Sequence, residues 1–163
     1  MSDIWRTTSL VEGGVTEGGA GSAAATLRAS VLEKTDAAER AVFAPQDCGA
    51  WPADMRAALA ARIARLNGQE QVAKRYEARQ QGQDYASLAD PASDGGERGL
   101  AEVLAFMDKV ARSPKDIASD DIAALKAAGT TDADIVRLCE LNAFLAYQLR
   151  LVAGLKLMTG PPE

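Results

Sequence analysis

The feature that most limits the fold of this chain is the spacing of its larger apolar residues, which follows the turns of a helix. In the segment 52–68 these residues recur every three or four positions, at Met55, Leu59, Ile63 and Leu66. Such spacing places them on one stripe of a helix, which would be buried. Alanine, the best helix former, is abundant along the chain, and no segment alternates as a strand does. The sequence therefore predicts an all-α fold.

Helix-starting and helix-ending residues divide the chain into predicted helices. Pro52 favours a helix start, and Asn67-Gly68 favours a helix end because both residues tolerate left-handed backbone. Thr35 is the predicted N-cap of an earlier short helix, and Thr131 with Asp134 resembles a capping box at the start of the last one. The other predicted helices cover residues 22–32, 35–42, 69–80, 100–110, 120–128 and 132–158.

Residues 1–21 are predicted to be a flexible N-terminal arm, because residues 7–21 are glycine-rich and lack any hydrophobic period. Residues 22–163 are predicted to form a single helical domain. A chain of 163 residues is long enough for one ordinary core and too short for two to be expected.

Composition excludes several kinds of chemistry. The chain has no histidine, which removes the usual general base near neutral pH and the commonest zinc ligand. The formal net charge of −5 argues against nucleic acid and against an anionic membrane surface as partners. No metal and no cofactor is expected, since the acidic residues at helix starts are explained by capping and by the helix dipole. These residues are Asp116, Asp120, Asp121, Asp132 and Asp134.

The two cysteines, Cys48 and Cys139, are far apart and form no Cys-x-x-Cys. Such usage suits a reducing compartment, and no signal peptide or membrane-spanning segment is recognised, so a cytoplasmic location is expected. Cys48 follows a proline in a loop and is a candidate redox thiol, the alternative being an incidental one. Cys139 lies in an apolar helix and is expected to be a small, buried, protonated side chain.

The turn at Leu66-Asn67-Gly68, followed at once by a second helix, resembles the signature helix pair of the carboxymuconolactone decarboxylase and AhpD-like alkylhydroperoxidase family. In that family the turn is followed by Cys-x-x-Cys and then His, and the preceding helix carries a Glu. When the chains are aligned on the turn, the cysteine positions fall on Gln69 and Val72, the histidine on Tyr76 and the glutamate near Ala57. The reactive residues of the family are therefore replaced.

The resemblance covers about residues 35–158 and is best over 51–76 and 119–158. It implies an AhpD-like domain of about six helices. It also implies a homo-oligomer, or assembly with a related subunit of the same family.

The resemblance and the replaced reactive residues are compatible with two classes of function. In the binding class, the protein is a catalytically empty family member that holds a small molecule or supports a competent partner subunit. In the enzyme class, it acts in peroxide or lactone-type metabolism through a relocated site at Cys48, or at Glu140 and Tyr147, which share one stripe of the last helix. The missing Glu, Cys, Cys and His favour the binding class.

The helix start after Asn67-Gly68 is the predicted position of a pocket, because free N–H groups there can hold an anion. The candidate pocket residues are Arg62, Asn67, Gln69 and Tyr76. Arg62, Arg65 and Lys74 are close in sequence and would suit a carboxylate ligand. The alternative is a solvated basic face, balanced by the nearby acidic residues Asp54, Glu70 and Glu77.

Overall fold

The computed structural model describes residues 3–160, and within that range every regular element is a helix. The all-α prediction is therefore confirmed for the described residues. Four short 3₁₀ helices, at Ile4–Arg6, Ala86–Ala89, Gly96–Arg98 and Pro114–Asp116, lie between longer elements. The eight α-helices are α1 Thr8–Glu12, α2 Ser22–Leu27, α3 Ala29–Phe43, α4 Ala53–Leu66, α5 Glu70–Glu77, α6 Ala101–Arg112, α7 Ser119–Ala127 and α8 Asp132–Thr159.

Helix α4 lies at the centre of the fold. Ten consecutive residues, 55–64, are buried, and five of them are alanines. Because alanine side chains are small, α5, α6 and α8 can pack around α4 on several sides, and all three contact it. The predicted single buried stripe on this helix was too narrow, since the helix is buried all round.

Helix α8 is the longest element and packs against α1, α3, α4, α6 and α7. Its start is fixed by Thr131, whose Oγ1 accepts a hydrogen bond from the backbone N–H of Asp134 at 3.2 Å, as the sequence predicted. Asp134 also accepts from the backbone N–H of Ala50 at 3.0 Å. The first turn of α8 is thereby tied to the loop before α4. Among residues 3–160, no helix combines the length and the apolar character needed to cross a bilayer.

The N-terminal segment is packed against the domain, which corrects the prediction of a flexible arm over residues 1–21, of which the first two are outside the described range. Leu10 is fully buried and Val15 is 3% exposed. Together with Ala25 and Leu32 they form a second apolar cluster. Glycine content alone suggested flexibility, but these few apolar side chains find a tertiary partner that no local period reveals.

Helix α3 also differs from its prediction, because it runs unbroken from Ala29 to Phe43 and Thr35 lies inside it rather than at its N-cap. The hydroxyl of Thr35 donates to the carbonyl of Val31 at 2.9 Å, one turn back in the same helix. It also contacts the phenol oxygen of Tyr147 at 2.9 Å. A threonine whose hydroxyl is bonded in this way can lie inside a helix and does not mark its start.

Candidate functional site

The structure places only two of the four predicted pocket residues in a common groove. Asn67 and Gln69 line a groove of about 320 Å³, whereas Arg62 and Tyr76 are buried elsewhere. We call it the α4–α8 groove, because it lies between the end of α4, the end of α6 and the middle of α8. Its apolar walls are formed by Ile63, Val110, Ala111, Pro114, Ala143, Ala146, Leu149 and Ala153.

Three carboxamides supply most of the polar character of the α4–α8 groove. The amide nitrogen of Asn67 donates to a main-chain carbonyl of α4 at 2.9 Å. That of Gln69 donates to the carbonyl of Leu149 at 2.8 Å, and that of Asn142 donates to the carbonyl of Met107 at 3.1 Å. Since each nitrogen is fixed by a carbonyl, the amide oxygens remain as acceptors, and the buried Oε1 of Gln69 has no partner among residues 3–160.

Cys139 also lines this groove, and its side chain is exposed. This corrects the prediction that Cys139 is a buried core residue. An apolar helix need not bury every small side chain, and this turn of α8 faces the groove. Partial burial of the sulfur, together with the charge of the neighbouring Glu140, raises the pKa of the thiol. A thiol with a raised pKa is protonated at neutral pH and is a weak nucleophile.

Cys48 lies in the exposed loop before α4, where its thiol donates to the carbonyl of Gly49 at 3.5 Å. Both cysteines are free. Cys48 does not line the α4–α8 groove and has no basic group bonded to its sulfur among the described residues.

Glu140 and Tyr147 do not form the predicted polar pair. Glu140 lines a different, α3–α8 groove of about 430 Å³, whereas the phenol of Tyr147 is hydrogen-bonded to Thr35. The two arginines near Glu140 are already bonded to other acceptors. Arg56 donates to the main-chain carbonyls of Val42, Cys48 and Trp51, and Arg137 pairs with the carboxylates of Asp47 and Asp134.

Arg62 is 3% exposed and belongs to neither a pocket nor a solvated basic face. Its guanidinium forms two hydrogen bonds to the carboxylate of Asp108, at 2.5 and 2.7 Å. It also donates to main-chain carbonyls of the loop between α5 and α6, including those of Asp90 at 2.6 Å and Ser93 at 2.9 Å. Arg62 therefore fastens that loop to the core.

The predicted carboxylate site at the start of α5 is not assembled. Arg65 is paired with Glu77 at 2.6 Å and with Glu70 at 3.2 Å, so its charge is balanced within the protein. Together with the pairing of Arg62, this leaves neither of these arginines available to attract an anion.

Tyr76, which the sequence resemblance aligns with the family's histidine, is fully buried. Its ring stacks on that of Phe43 with 5.0 Å between centroids, and the guanidinium of Arg79 lies over both rings. Burial, together with the nearby carboxylate of Glu39, raises the pKa of the phenol. Ala57 and Val72, which the same resemblance aligns with the family's glutamate and second cysteine, are core residues. Of the four aligned positions, only Gln69 contacts the groove.

Sequence reasoning missed Asn142 and Arg150 as groove residues. A usable signal was present, because small or polar residues recur on one face of α8 in steps of three or four. They are Cys139, Asn142, Ala146, Arg150 and Ala153.

Among the described residues, no group of three or more Asp, Glu or Cys side chains is placed to hold a metal ion. Comparisons with protein families, curated proteins and solved structures returned no match for this chain. Its likeness to the carboxymuconolactone decarboxylase and AhpD-like family therefore remains an interpretation of the segment around Leu66–Tyr76.

Proposed function

We propose that this chain is a carboxymuconolactone decarboxylase or AhpD-like protein that binds a small, partly apolar molecule in the α4–α8 groove and does not transform it. The observation that carries the proposal is the lining of that groove. Only Cys139 and Arg150 among its residues can ionise, and the thiol is held protonated. A site without a general base or an activated nucleophile is suited to binding.

The lining also indicates the chemistry of the ligand. The amide oxygens of Asn67, Gln69 and Asn142 accept hydrogen bonds, so the ligand should present hydroxyl or N–H donors to them. Arg150 at the edge of the groove suits a carboxylate. The volume of about 320 Å³ is at the small end of ligand pockets. Hydroxylated carboxylic acids with a short hydrocarbon part fit these requirements best.

Binding is tested by screening such acids with ligand-observed NMR. The wild type is compared with two variants in which an alanine is replaced by phenylalanine. Ala146→Phe fills the groove, and binding should fall below detection. Ala127→Phe, on the exposed end of α7, is the matched control and should bind as the wild type does. Equal binding by both variants, or chemical conversion of a bound acid, would contradict the proposal.

The enzyme alternative is a peroxidase or lactone-decarboxylase-like protein with a relocated site. The exposure of Cys139 in the groove favours it, whereas the raised pKa of that thiol disfavours it. We expect no dithiol-dependent consumption of hydroperoxide above background in the wild type, in Cys48→Ser or in Cys139→Ser. Robust turnover that either substitution abolishes would establish that the chemistry has moved to these cysteines.

We further propose that the chain forms a homo-oligomer, or associates with a related subunit of the same family. The support is a set of large apolar side chains left on the surface. Leu27 is 84% exposed and Leu157 is 87% exposed. Surplus apolar surface of this kind is commonly buried by association.

A further inference from the structure

A second polar region is buried beneath helix α1, and none of its residues lines the α4–α8 groove. Thr8 and Ser9 of α1 are 2% and 1% exposed. The hydroxyl of Thr8 donates to Oε1 of Glu39 on α3 at 2.9 Å. The hydroxyl of Ser9 donates to Oε1 of Gln148 on α8 at 3.2 Å. Helix α1 is therefore held to the helices below it by polar contacts.

Beneath α1, three side-chain atoms have no hydrogen-bond partner among the described residues: Oε2 of Glu39, the hydroxyl of Tyr76 and Nε2 of Gln148. We call these three residues the polar cluster. Each is at most 1% exposed. Glu39 and Gln148 bind consecutive residues of α1, and Arg79, which is hydrogen-bonded to Glu39, lies over the ring of Tyr76. Buried polar atoms are almost always paired with protein or with an enclosed molecule, so a polar occupant is indicated.

The charges around the polar cluster are balanced, which indicates an uncharged occupant. Arg79 is hydrogen-bonded to the carboxylate of Glu39. Arg75 donates to Thr8 at 3.1 Å and pairs with Glu12 at 3.5 Å. The unpartnered atoms comprise an amide N–H donor, a carboxylate acceptor and a phenol that does both. A hydroxyl group, which also donates and accepts, is complementary to all three.

The covering segment is held mainly by polar contacts, and a glycine-rich segment follows it. Residues 4–12, which we call the strap, contain one fully buried large apolar side chain, Leu10, and the partly buried Ile4 and Trp5 pack against the same cluster. The following segment, 13–21, contains five glycines, three of them with positive φ, at Gly14, Gly18 and Gly21. A segment with few apolar anchors and a glycine-rich connection opens more readily than the core.

We propose that the strap opens on segment 13–21 and admits a small, uncharged hydroxylic molecule to the polar cluster of Glu39, Tyr76 and Gln148. The site is independent of the proposed function, because it shares no residue with the α4–α8 groove.

The test uses the full chain, glycerol as the uncharged probe and glycerate as its charged counterpart. Amide hydrogen exchange is followed in the strap and, as an internal reference, in α4. Strap amides should exchange faster than α4 amides, and glycerol should slow strap exchange severalfold while glycerate leaves it unchanged. Leu10→Ala should speed strap exchange, whereas Val136→Ala, at an exposed position of α8, should leave it unchanged.

The polar cluster is tested with Tyr76→Phe, which removes the unpartnered hydroxyl and keeps the stacked ring. Tyr85→Phe is the matched control, since Tyr85 lies outside the cluster beneath Arg98. The effect of glycerol should be lost in Tyr76→Phe and kept in Tyr85→Phe. The proposal is overturned if glycerol has no effect on the wild type, which would leave only enclosed water in the cluster. The proposal is also overturned if Tyr76→Phe keeps the glycerol effect as Tyr85→Phe does, or if strap amides exchange as slowly as those of α4.

Discussion

Arg62 joins helix α4 to α6 and to the loop between α5 and α6 through one guanidinium group. Replacing it by methionine leaves the carboxylate of Asp108 without its partner and several main-chain carbonyls without a donor. Breaking a buried ion pair from one side costs about 3–5 kcal/mol, and we expect Arg62→Met to lower the free energy of unfolding by about that amount. Urea denaturation measures it.

The control is Arg65→Met, three residues later on the same helix. Arg65 is 21% exposed in its side chain, and its partners are more exposed still. Solvent screening should limit the loss there to about 1 kcal/mol. Equal losses in the two variants would contradict the role given to Arg62.

Glu39 provides a pH-dependent prediction. Burial raises the pKa of its carboxyl above the ordinary value of 4.5, although Arg79, Thr8 and Arg75 oppose the shift and Asp36 adds to it. A folded-state pKa above the unfolded one stabilises the fold at low pH, and this contribution is lost as pH rises through the folded pKa. The free energy of unfolding of the wild type relative to Glu39→Gln should therefore fall as pH rises from 4.5.

Chemical denaturation of both chains at a series of pH values measures this difference. If the difference instead grows with pH, the ion pair with Arg79 outweighs the effect of burial.

At the scale of the element, the N-cap of α8 can be tested with two adjacent threonines. Thr131→Ala removes the acceptor for the backbone N–H of Asp134 and should lower the free energy of unfolding by about 1 kcal/mol. The preceding Thr130 donates its backbone N–H to the carbonyl of Leu125 at 3.0 Å and does not cap α8. Thr130→Ala should therefore lower the free energy of unfolding by only a small fraction of the loss in Thr131→Ala. A larger loss in Thr130→Ala than in Thr131→Ala would contradict the assignment of Thr131 as the N-cap.

The elements predicted well are those fixed by local chemistry. Pro52 and Asn67-Gly68 delimit α4 in sequence and in structure, and the Thr131 cap starts α8 in both. Thr35 was misassigned because a threonine hydroxyl can satisfy either a helix end or a carbonyl one turn back. The strap was misassigned because Leu10 is buried by residues distant in sequence.

The candidate site was predicted in part for the same reason. Asn67 and Gln69 follow the end of α4, so their place beside a groove follows from a local helix boundary. The exposure of Cys139 and the burial of Tyr76 depend on which faces of α8 and α5 find neighbours. Tertiary packing determines which helix faces are covered, and helical periodicity does not specify that packing.

At the scale of the whole molecule, we expect sedimentation at micromolar concentration to show an oligomer. Leu157, near the end of α8, is 87% exposed, and the neighbouring Met158 is 55% exposed. Leu157→Glu should shift the population toward the monomer if this surface is shared between copies. Glu33→Gln, at a half-buried position of α3, serves as a charge-changing control. A wild type that sediments as a monomer would contradict the proposal.

The contacts of Arg62 with the loop between α5 and α6 have a consequence for how this sequence can diverge. At Pro91 and Ser93 the guanidinium binds carbonyl oxygens of the main chain, which every amino acid possesses. Substitutions at those two positions leave the acceptors in place, whereas no other side chain offers five donors in a planar fork at position 62. Among close descendants of this chain, the loop residues should vary freely while the arginine that holds them does not.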